Sequence, residues 1–386
     1  MDTDKRSVFL EQVQAYLKHQ VAPHAAQLDA DPQALRQALH GLGAQSWLAL
    51  RVPVQLHGLG VDALTFRMFQ ETVSRYSGAL AFLQTQHQSA AAMLATSTNT
   101  VLQHHYLPHL GTGQTCIGVG FSQLRRQGLP AVSATPLKDG YCLNGQVPWI
   151  TGWTCFQHFI VGAVLPDGQV LLGMMPFTPQ VQPQGGAIRF GAPLPLAVMQ
   201  STHTVTAEID QWHLPPEAVV QIQPPDWLAQ ADRRNVLHHS FFALGCAQAG
   251  LDAIAAGSTF AIPVVAACHA TLQQQLQTLR QRIYQAEAAE TVDSASSLDY
   301  EDRLVLRAQA IQMAVQCSHA AVATARGGAI ALSHPAQRIY REALAYTVFG
   351  QTSDVMAATL QQITAALPPL ANPLNPRSTL EYNHSP

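Results

Sequence analysis

The sequence predicts an α+β protein in three parts: an N-terminal helical domain (residues 1–113), a central antiparallel β domain closed as a barrel (114–225) and a C-terminal four-helix bundle with a tail (226–386). Three observations predict this. Apolar residues recur at threes and fours before Gly113; short alternating runs broken by turn residues follow; and helical spacing returns after Pro224-Pro225.

In the first part, Val8, Phe9, Val13, Tyr16 and Leu17 share one helical face, and Leu35, Leu39 and Leu42 share another. Pro53, Gly58 and Gly60 then mark a turn. Helices are expected over residues 63–77 and 78–97, the second alanine-rich and able to pack closely, and residues 99–113 close the unit.

In the second part, Asp139-Gly140 between two extended runs is a hairpin signal. Strand-like runs follow at 158–165, 170–175, 188–190 and 204–209, with turns at Pro166-Asp167-Gly168 and Gly185-Gly186. Parallel pairing needs long crossovers, and no helical crossover is visible here, so antiparallel ladders are expected.

The third part carries Leu237, Phe241, Leu244, Ala247, Leu251 and Ile254 on one helical face. Leu272, Leu276, Leu279 and Ile283 make a second, Leu304, Ala308, Ile311 and Val315 a third, and residues 338–366 a fourth. Each stripe alone would face water, so the helices must pack together. Residues 367–386 form a proline-rich tail that is free to order on a neighbouring subunit.

Composition narrows the function. Charged residues make up 12% of the chain, the net charge is -3, and Lys and Arg are scattered, so no phosphate-tracking basic run is present and nucleic acid is not an expected partner. Gln, His, Ser and Gly interrupt the apolar stretches well short of the roughly 20 residues a bilayer span needs. No signal-peptide pattern is read at the start, and a cytoplasmic location is expected. The six cysteines form no CxxC pair and are expected to be ordinary buried thiols, with no metal site.

Several segments, in order, resemble the acyl-CoA dehydrogenase superfamily. Gly43 to Pro53 followed by His57-Gly58-Leu59-Gly60 resembles the family's approach to its glycine turn, and Tyr106-Leu107-Pro108 resembles its helix end before the first strand. Asn144-Gly145-Gln146-Val147-Pro148-Trp149-Ile150-Thr151 resembles the strand ending in Trp-Ile-Thr. Arg326-Gly327-Gly328, Arg341-Glu342 and Gly350-Gln351-Thr352-Ser353 follow the family's closing segments.

The resemblance implies the family's fold, a flavin site and a homodimer or homotetramer. Trp149 and Thr151 are then expected beside an isoalloxazine ring, where an indole covers a planar cofactor and a hydroxyl meets its polar edge. The alternative is a strand aromatic in the core and a turn threonine. Ser122 and Gly128 occupy the place of the family's pyrophosphate loop, with Thr352 near the cofactor. Arg326, Gly327 and Gly328 correspond to backbone that touches the adjoining subunit's dinucleotide, or form an ordinary helix C-cap.

The chain also departs from the pattern. Gln123-Leu124 replaces Glu-Pro in the loop, and Arg125 and Arg126 appear there, either to engage an anion or as solvated surface residues. The arginine that reaches the partner's FAD phosphate is missing: residues 259–263 read Thr-Phe-Ala-Ile-Pro, with no arginine until Arg280. FAD is the expected cofactor, with FMN or a reduced flavin shared with a reductase as the alternative.

Counting places Gly350 where the family carries its catalytic glutamate, and Asn235 where a subset carries it instead. Neither is a base. Asp232 and His239 are the replacement candidates, each with a structural alternative as helix cap or buried hydrogen-bonding residue.

Three functions follow. The first is a flavin oxidoreductase acting on a CH–CH group of an acyl thioester or related substrate, with an electron-transfer partner. The second is a flavin monooxygenase of the same fold, with His87 or His334 as a distal hydrogen-bond donor. The third is a non-catalytic binding protein that keeps the fold.

Overall fold

The computed structural model describes residues 3–126, 128–290 and 298–365. The tail at 367–386, and any ordering of it on a second subunit, lies outside the described residues.

Helix α1 (Thr3–Tyr16) runs through a π turn, Leu17–Val21, toward α2 (Ala25–Ala30), α3 (Pro32–Ala44), α4 (Ala63–Tyr76), α5 (Gly78–Ala95) and α6 (Thr100–Leu110). Side-chain caps set four of these starts. Asp31, Asp62, Ser77 and Asn99 each accept a hydrogen bond from an amide in the first turn of α3, α4, α5 and α6, and Pro32 adds a preset φ at the start of α3. Helix α5 is central: Leu80, Leu83, Ala90, Ala91 and Leu94 are all buried.

Nine strands follow among the described residues: β1 (Ile117–Gly120), β2 (Val132–Leu137), β3 (Gly140–Ile150), β4 (His158–Val164), β5 (Val170–Pro176), β6 (Gln180–Val181), β7 (Ala187–Phe190), β8 (Val205–Leu214) and β9 (Val219–Gln223). Their order is β6-β7-β8-β3-β2-β4-β5-β9, with β1 beside β4. The β2–β3 hairpin turns at Asp139-Gly140 as the sequence predicts.

One departure concerns pairing. β1 lies parallel to β4 over four residues, Ile117 opposite His158 through Gly120 opposite Val161, and β2 touches β4 in parallel at Ser133–Val164. A crossover need not be a helix: between β1 and β4 the β2–β3 hairpin supplies the length.

The C-terminal part begins with the short α7 (Trp227–Arg234) and continues as α8 (Ser240–Ala255), α9 (Pro263–Glu290), α10 (Tyr300–Ala325), α11 (Pro335–Val348) and α12 (Ser353–Ala365). Phe241, Leu244, Leu251, Leu276, Ile283, Leu304, Ile311 and Tyr346 fill the bundle core. The expected last helix is in fact two, because Gly350 takes φ +57 and the chain bends between α11 and α12.

A buried electrostatic clamp joins the parts. Glu342 on α11 accepts the Gly78 amide at 3.0 Å at the start of α5 and pairs with Arg338 one turn earlier. Next to it, Arg341 pairs with Asp29 at 2.9 Å and donates to the Ala197 carbonyl, while Asp29 accepts the Met199 amide at 2.7 Å. Helical, β and bundle segments are thus tied through charge-assisted bonds, those of Glu342 and Asp29 buried and that of Arg341 to Ala197 exposed.

Among the described residues no helix is long and apolar enough to cross a membrane, and no cluster of three or more potential metal ligands occurs.

Candidate functional site

A cavity of about 230 Å³ opens where α5, the 3-10 turn Ser122–Arg125, the α7–α8 turn and the α11–α12 hinge converge. Phe121, Arg125, Asp232, His239, Gly350 and Thr352 are among its lining residues. Aromatic packing positions the hinge: Phe349 lies 4.5 Å from Phe82 and 5.3 Å from Tyr346 between ring centroids, and its carbonyl accepts Arg307 Nη2 at 2.6 Å. Thr352 is the cap of α12, its hydroxyl accepting the Val355 amide.

At Gly350 there is no room for a side chain. A Cβ there would come 2.3 Å from His239 Cδ2 and 2.5 Å from His239 Nε2. The imidazole of His239 therefore fills the volume into which a residue at 350 would project. Its Nδ1 is sealed and has no hydrogen-bond partner among the described residues.

Burial, then the guanidiniums of Arg307, Arg125 and Arg67, hold His239 well below the usual histidine range. The ring is neutral near pH 7. Arg307, 1% exposed, has Nε and Nη1 without partners among the described residues, and burial pulls it down to about 9.

Asp232 behaves differently from either sequence reading. It lies within α7, not at a cap, and takes Arg125 through two bonds, Nε to Oδ2 at 2.8 Å and Nη2 to Oδ1 at 2.7 Å. Arg125 is thus neither solvated alone nor waiting for a phosphate. The pair ties the 3-10 turn to α7, and Asp232 is the one carboxylate among the residues lining this cavity.

His87 is committed to the backbone: Nδ1 accepts the Ile117 amide at 3.0 Å, leaving Nε2–H to donate to the Leu110 carbonyl at 3.1 Å. Burial brings it down to about 4. His334 caps α11, its Nδ1 accepting the Ala336 amide. Neither histidine lines the cavity at Gly350.

His87 makes stability depend on pH. The unfolded imidazole binds a proton below about 6.5 and the folded one only near 4, so the buried ring contributes stability above about pH 6.5 that is lost as pH falls toward 4. His238 and His239 are lowered too and add in the same direction, whereas Glu342, raised above its ordinary value mainly by burial, opposes them. Urea unfolding is expected to show a loss of about 2 kcal/mol from His87 alone between about pH 7 and pH 5. Replacing His87 by Gln should flatten this slope; an unchanged slope contradicts the assignment.

At the end of β3, Trp149 is 46% exposed and makes no ring contact among the described residues, while the Thr151 hydroxyl is buried against that of Thr204 at 2.9 Å. The next amides are taken, Gly152 N–H by the Thr202 carbonyl and Trp153 N–H by the His203 carbonyl. An uncovered indole beside a buried hydroxyl pair fits a planar ring laid across the strand end.

Ser122 and Gly128 are exposed, and Gly128, at φ +101, has nothing within 4 Å of a Cβ built on it. Backbone can approach a ligand there. Arg326, Gly327 and Gly328 are exposed on a 3-10 turn after α10, flanked by Ile330 and Leu332, which are 81% and 76% exposed. The cavity at Gly350 thus brings together Asp232, His239, Gly350 and Thr352. Trp149, Thr151, Ser122, Gly128 and residues 326–328 do not line it.

Sequence reasoning missed Arg307 and the Arg125–Asp232 pair. No local motif signals either, since the paired residues lie 107 positions apart.

Residues 3–114 match the family described as acyl-CoA dehydrogenase, N-terminal domain. Cyclohex-1-ene-1-carbonyl-CoA dehydrogenase of Syntrophus aciditrophicus is 25% identical over 182 residues, 45% of this chain and 43% of that enzyme. The chain aligns with less than half the length of this and similar curated relatives.

Over whole structures, butyryl-CoA dehydrogenase from Megasphaera elsdenii superposes with a TM-score of 0.75 at 17% identity, covering 94% of this chain and 100% of that one. A glutaryl-CoA dehydrogenase from Mycobacterium smegmatis in complex with FADH2 gives 0.76 at 14% identity, covering 95% of each chain. The chain has the acyl-CoA dehydrogenase fold, and its residues 3–114 match that family's N-terminal domain.

Proposed function

We propose that the protein is a flavin-dependent oxidoreductase of the acyl-CoA dehydrogenase type, acting on a CH–CH group of an acyl thioester or a related substrate. The observation that carries this reading is the cavity at Gly350, walled by the helical, β and bundle segments together, in a chain of this fold.

Trp149 and Thr151 are the proposed ring contacts, Ser122 and Gly128 the pyrophosphate contacts, and Thr352 a contact at the hinge. FAD suits this set, with FMN as the alternative because residues 259–263 carry no arginine to reach a partner's FAD phosphate. Bound there, a flavin supplies a hydride acceptor. A second copy of the chain is proposed to bring Arg326, Gly327 and Gly328 to the same dinucleotide, and the exposed Ile330 and Leu332 beside them support burial in a homodimer or homotetramer. A cytoplasmic location and a separate electron-transfer partner complete the reading.

His239 is the proposed proton acceptor. Its neutral imidazole fills the volume of the absent residue-350 side chain and adjoins the cavity, so Nε2 can take a proton from a substrate carbon held there. Asp232 is a positioning residue: its two bonds to Arg125 hold the turn against α7.

One observation favours a second reading. The one carboxylate lining the cavity is engaged by Arg125, and monooxygenation requires no carboxylate base for α-proton removal. Anaerobic addition of acyl-CoA esters to flavin-loaded protein separates the two. Bleaching of the flavin absorbance is expected for the oxidoreductase; no bleaching, with productive oxygen consumption after chemical reduction, favours oxygenation. Protein that neither retains nor takes up flavin belongs to a non-catalytic module.

A further inference from the structure

A second cavity, of about 550 Å³, adjoins the first and shares Ser89, Met93, Trp227, Asn235, His238 and His239 with it. A ligand seated at Gly350 can therefore continue into it. Among mostly polar lining residues, Phe66, Ala92, Met93 and Phe242 give parts of the wall an apolar surface. Its charged lining is of one sign: Arg51 and Arg67, with no Asp or Glu among the lining residues.

The two guanidiniums gather about one ring, Arg67 Cζ at 5.3 Å and Arg51 Cζ at 6.0 Å from the Phe66 centroid. Arg67 is 5% exposed and is fixed by Gln70 Oε1 at 2.7 Å and Glu287 Oε1 at 3.3 Å. Glu287, outside the cavity lining, thus offsets one positive charge. Arg51 has no hydrogen bond or ion pair among the described residues, its contact being the ring of Phe66.

The cationic lining leaves its mark on the wall histidines. His238 lies 3.5 Å from Glu287, yet burial followed by Arg67, His239, Arg51 and Arg303 pushes it well below the usual histidine range. A cavity lined by guanidiniums concentrates anions. A planar guanidinium matches a carboxylate in particular, and the apolar side chains of Phe66, Met93 and Phe242 can pack against the methylene chain behind one.

We infer that this cavity binds the carboxylate end of an acyl chain, so that the preferred substrate is a carboxylate-terminated acyl thioester whose far end meets Arg51 and Arg67. The substrate assignment rests on the oxidoreductase reading above; the anion site rests on the cavity itself.

The test compares glutaryl-CoA with pentanoyl-CoA, equal in chain length, by isothermal titration of the full chain, with flavin absorbance recorded on the same sample. Glutaryl-CoA is expected to bind about tenfold more tightly or better, and Arg51→Gln, at an exposed residue whose loss leaves no buried charge, should bring the ratio to about one. Equal affinities, or a preference that survives Arg51→Gln, overturn the inference. Inorganic phosphate competing equally with both esters assigns the site to phosphate and overturns it too.

If neither ester binds, glutarate against pentanoate in a thermal-shift assay carries the comparison without CoA, and no glutarate-dependent shift overturns the site. Absent flavin with an intact preference rejects the oxidoreductase reading alone. Bound flavin without the preference rejects this inference alone.

Discussion

Gly350→Ala should destabilise the protein by about 2–4 kcal/mol, a large effect for one methyl group. The backbone at 350 lies at φ +57, where any β-carbon costs roughly 1–2 kcal/mol. The new atom also meets His239 Cδ2 at 2.3 Å, an overpacking worth about 1–3 kcal/mol. His239→Gly should remove the second cost and leave the first, so the two changes are expected to couple favourably in a double-mutant cycle of denaturant unfolding. Additivity would show that the imidazole does not fill this volume.

The same pair has a functional counterpart. Gly350→Glu alone is expected to restore nothing, because its carboxylate has no space; only with His239→Gly can it extend into the cavity. His239→Gly alone should lower turnover by about 10²–10⁴-fold if Nε2 takes the proton. Because burial and nearby guanidiniums hold this histidine well below the usual range, its neutral form persists into acid, and activity should fall only on the acid side.

Glu342→Ala should cost about 3–5 kcal/mol, measured by urea unfolding near pH 7. Glu342 is 1% exposed, and its removal strands a buried Arg338 and the Gly78 amide, both of which its carboxylate now satisfies. A Cβ at Gly78 would sit 2.7 Å from Glu342 Cδ, so the start of α5 rests directly on the carboxyl group. Adding Arg338→Met should recover part of the loss, since a stranded charge costs more than an absent pair. A loss below about 1 kcal/mol would mean the clamp is solvated.

The Glu342 clamp also shows how far the sequence is legible. Arg341-Glu342 marks register in the sequence reading, yet what the two residues do depends on Gly78 and Asp29, hundreds of positions away in the chain. Local signals were readable because their causes are local: Asp139-Gly140 turns β2 into β3, and Pro166-Asp167-Gly168 and Gly185-Gly186 fall between β4 and β5 and between β6 and β7. Helical spacing likewise located α5 and α8 through their buried faces.

What escaped the reading is tertiary. Parallel pairing of β1 with β4 follows from a hairpin acting as crossover, and the break between α11 and α12 follows from one glycine conformation amid strong helical spacing. Asp232 reads as a cap or a base until Arg125 is seen beside it. His87 reads as a candidate hydrogen-bond donor until both ring nitrogens are found on backbone groups. Spacing in a sequence reports which residues share a face, and a site is made by which faces meet.

The most direct test of the flavin reading is a titration of the flavin-depleted full chain with FAD and FMN, followed through Trp fluorescence and flavin absorbance, in the wild type and in Trp149→Ala. Saturable binding near one flavin per chain, weakened markedly in Trp149→Ala with no change in melting temperature of the unliganded protein, is the predicted result. No saturable binding of either flavin, or binding indifferent to Trp149, contradicts a ring laid across the end of β3.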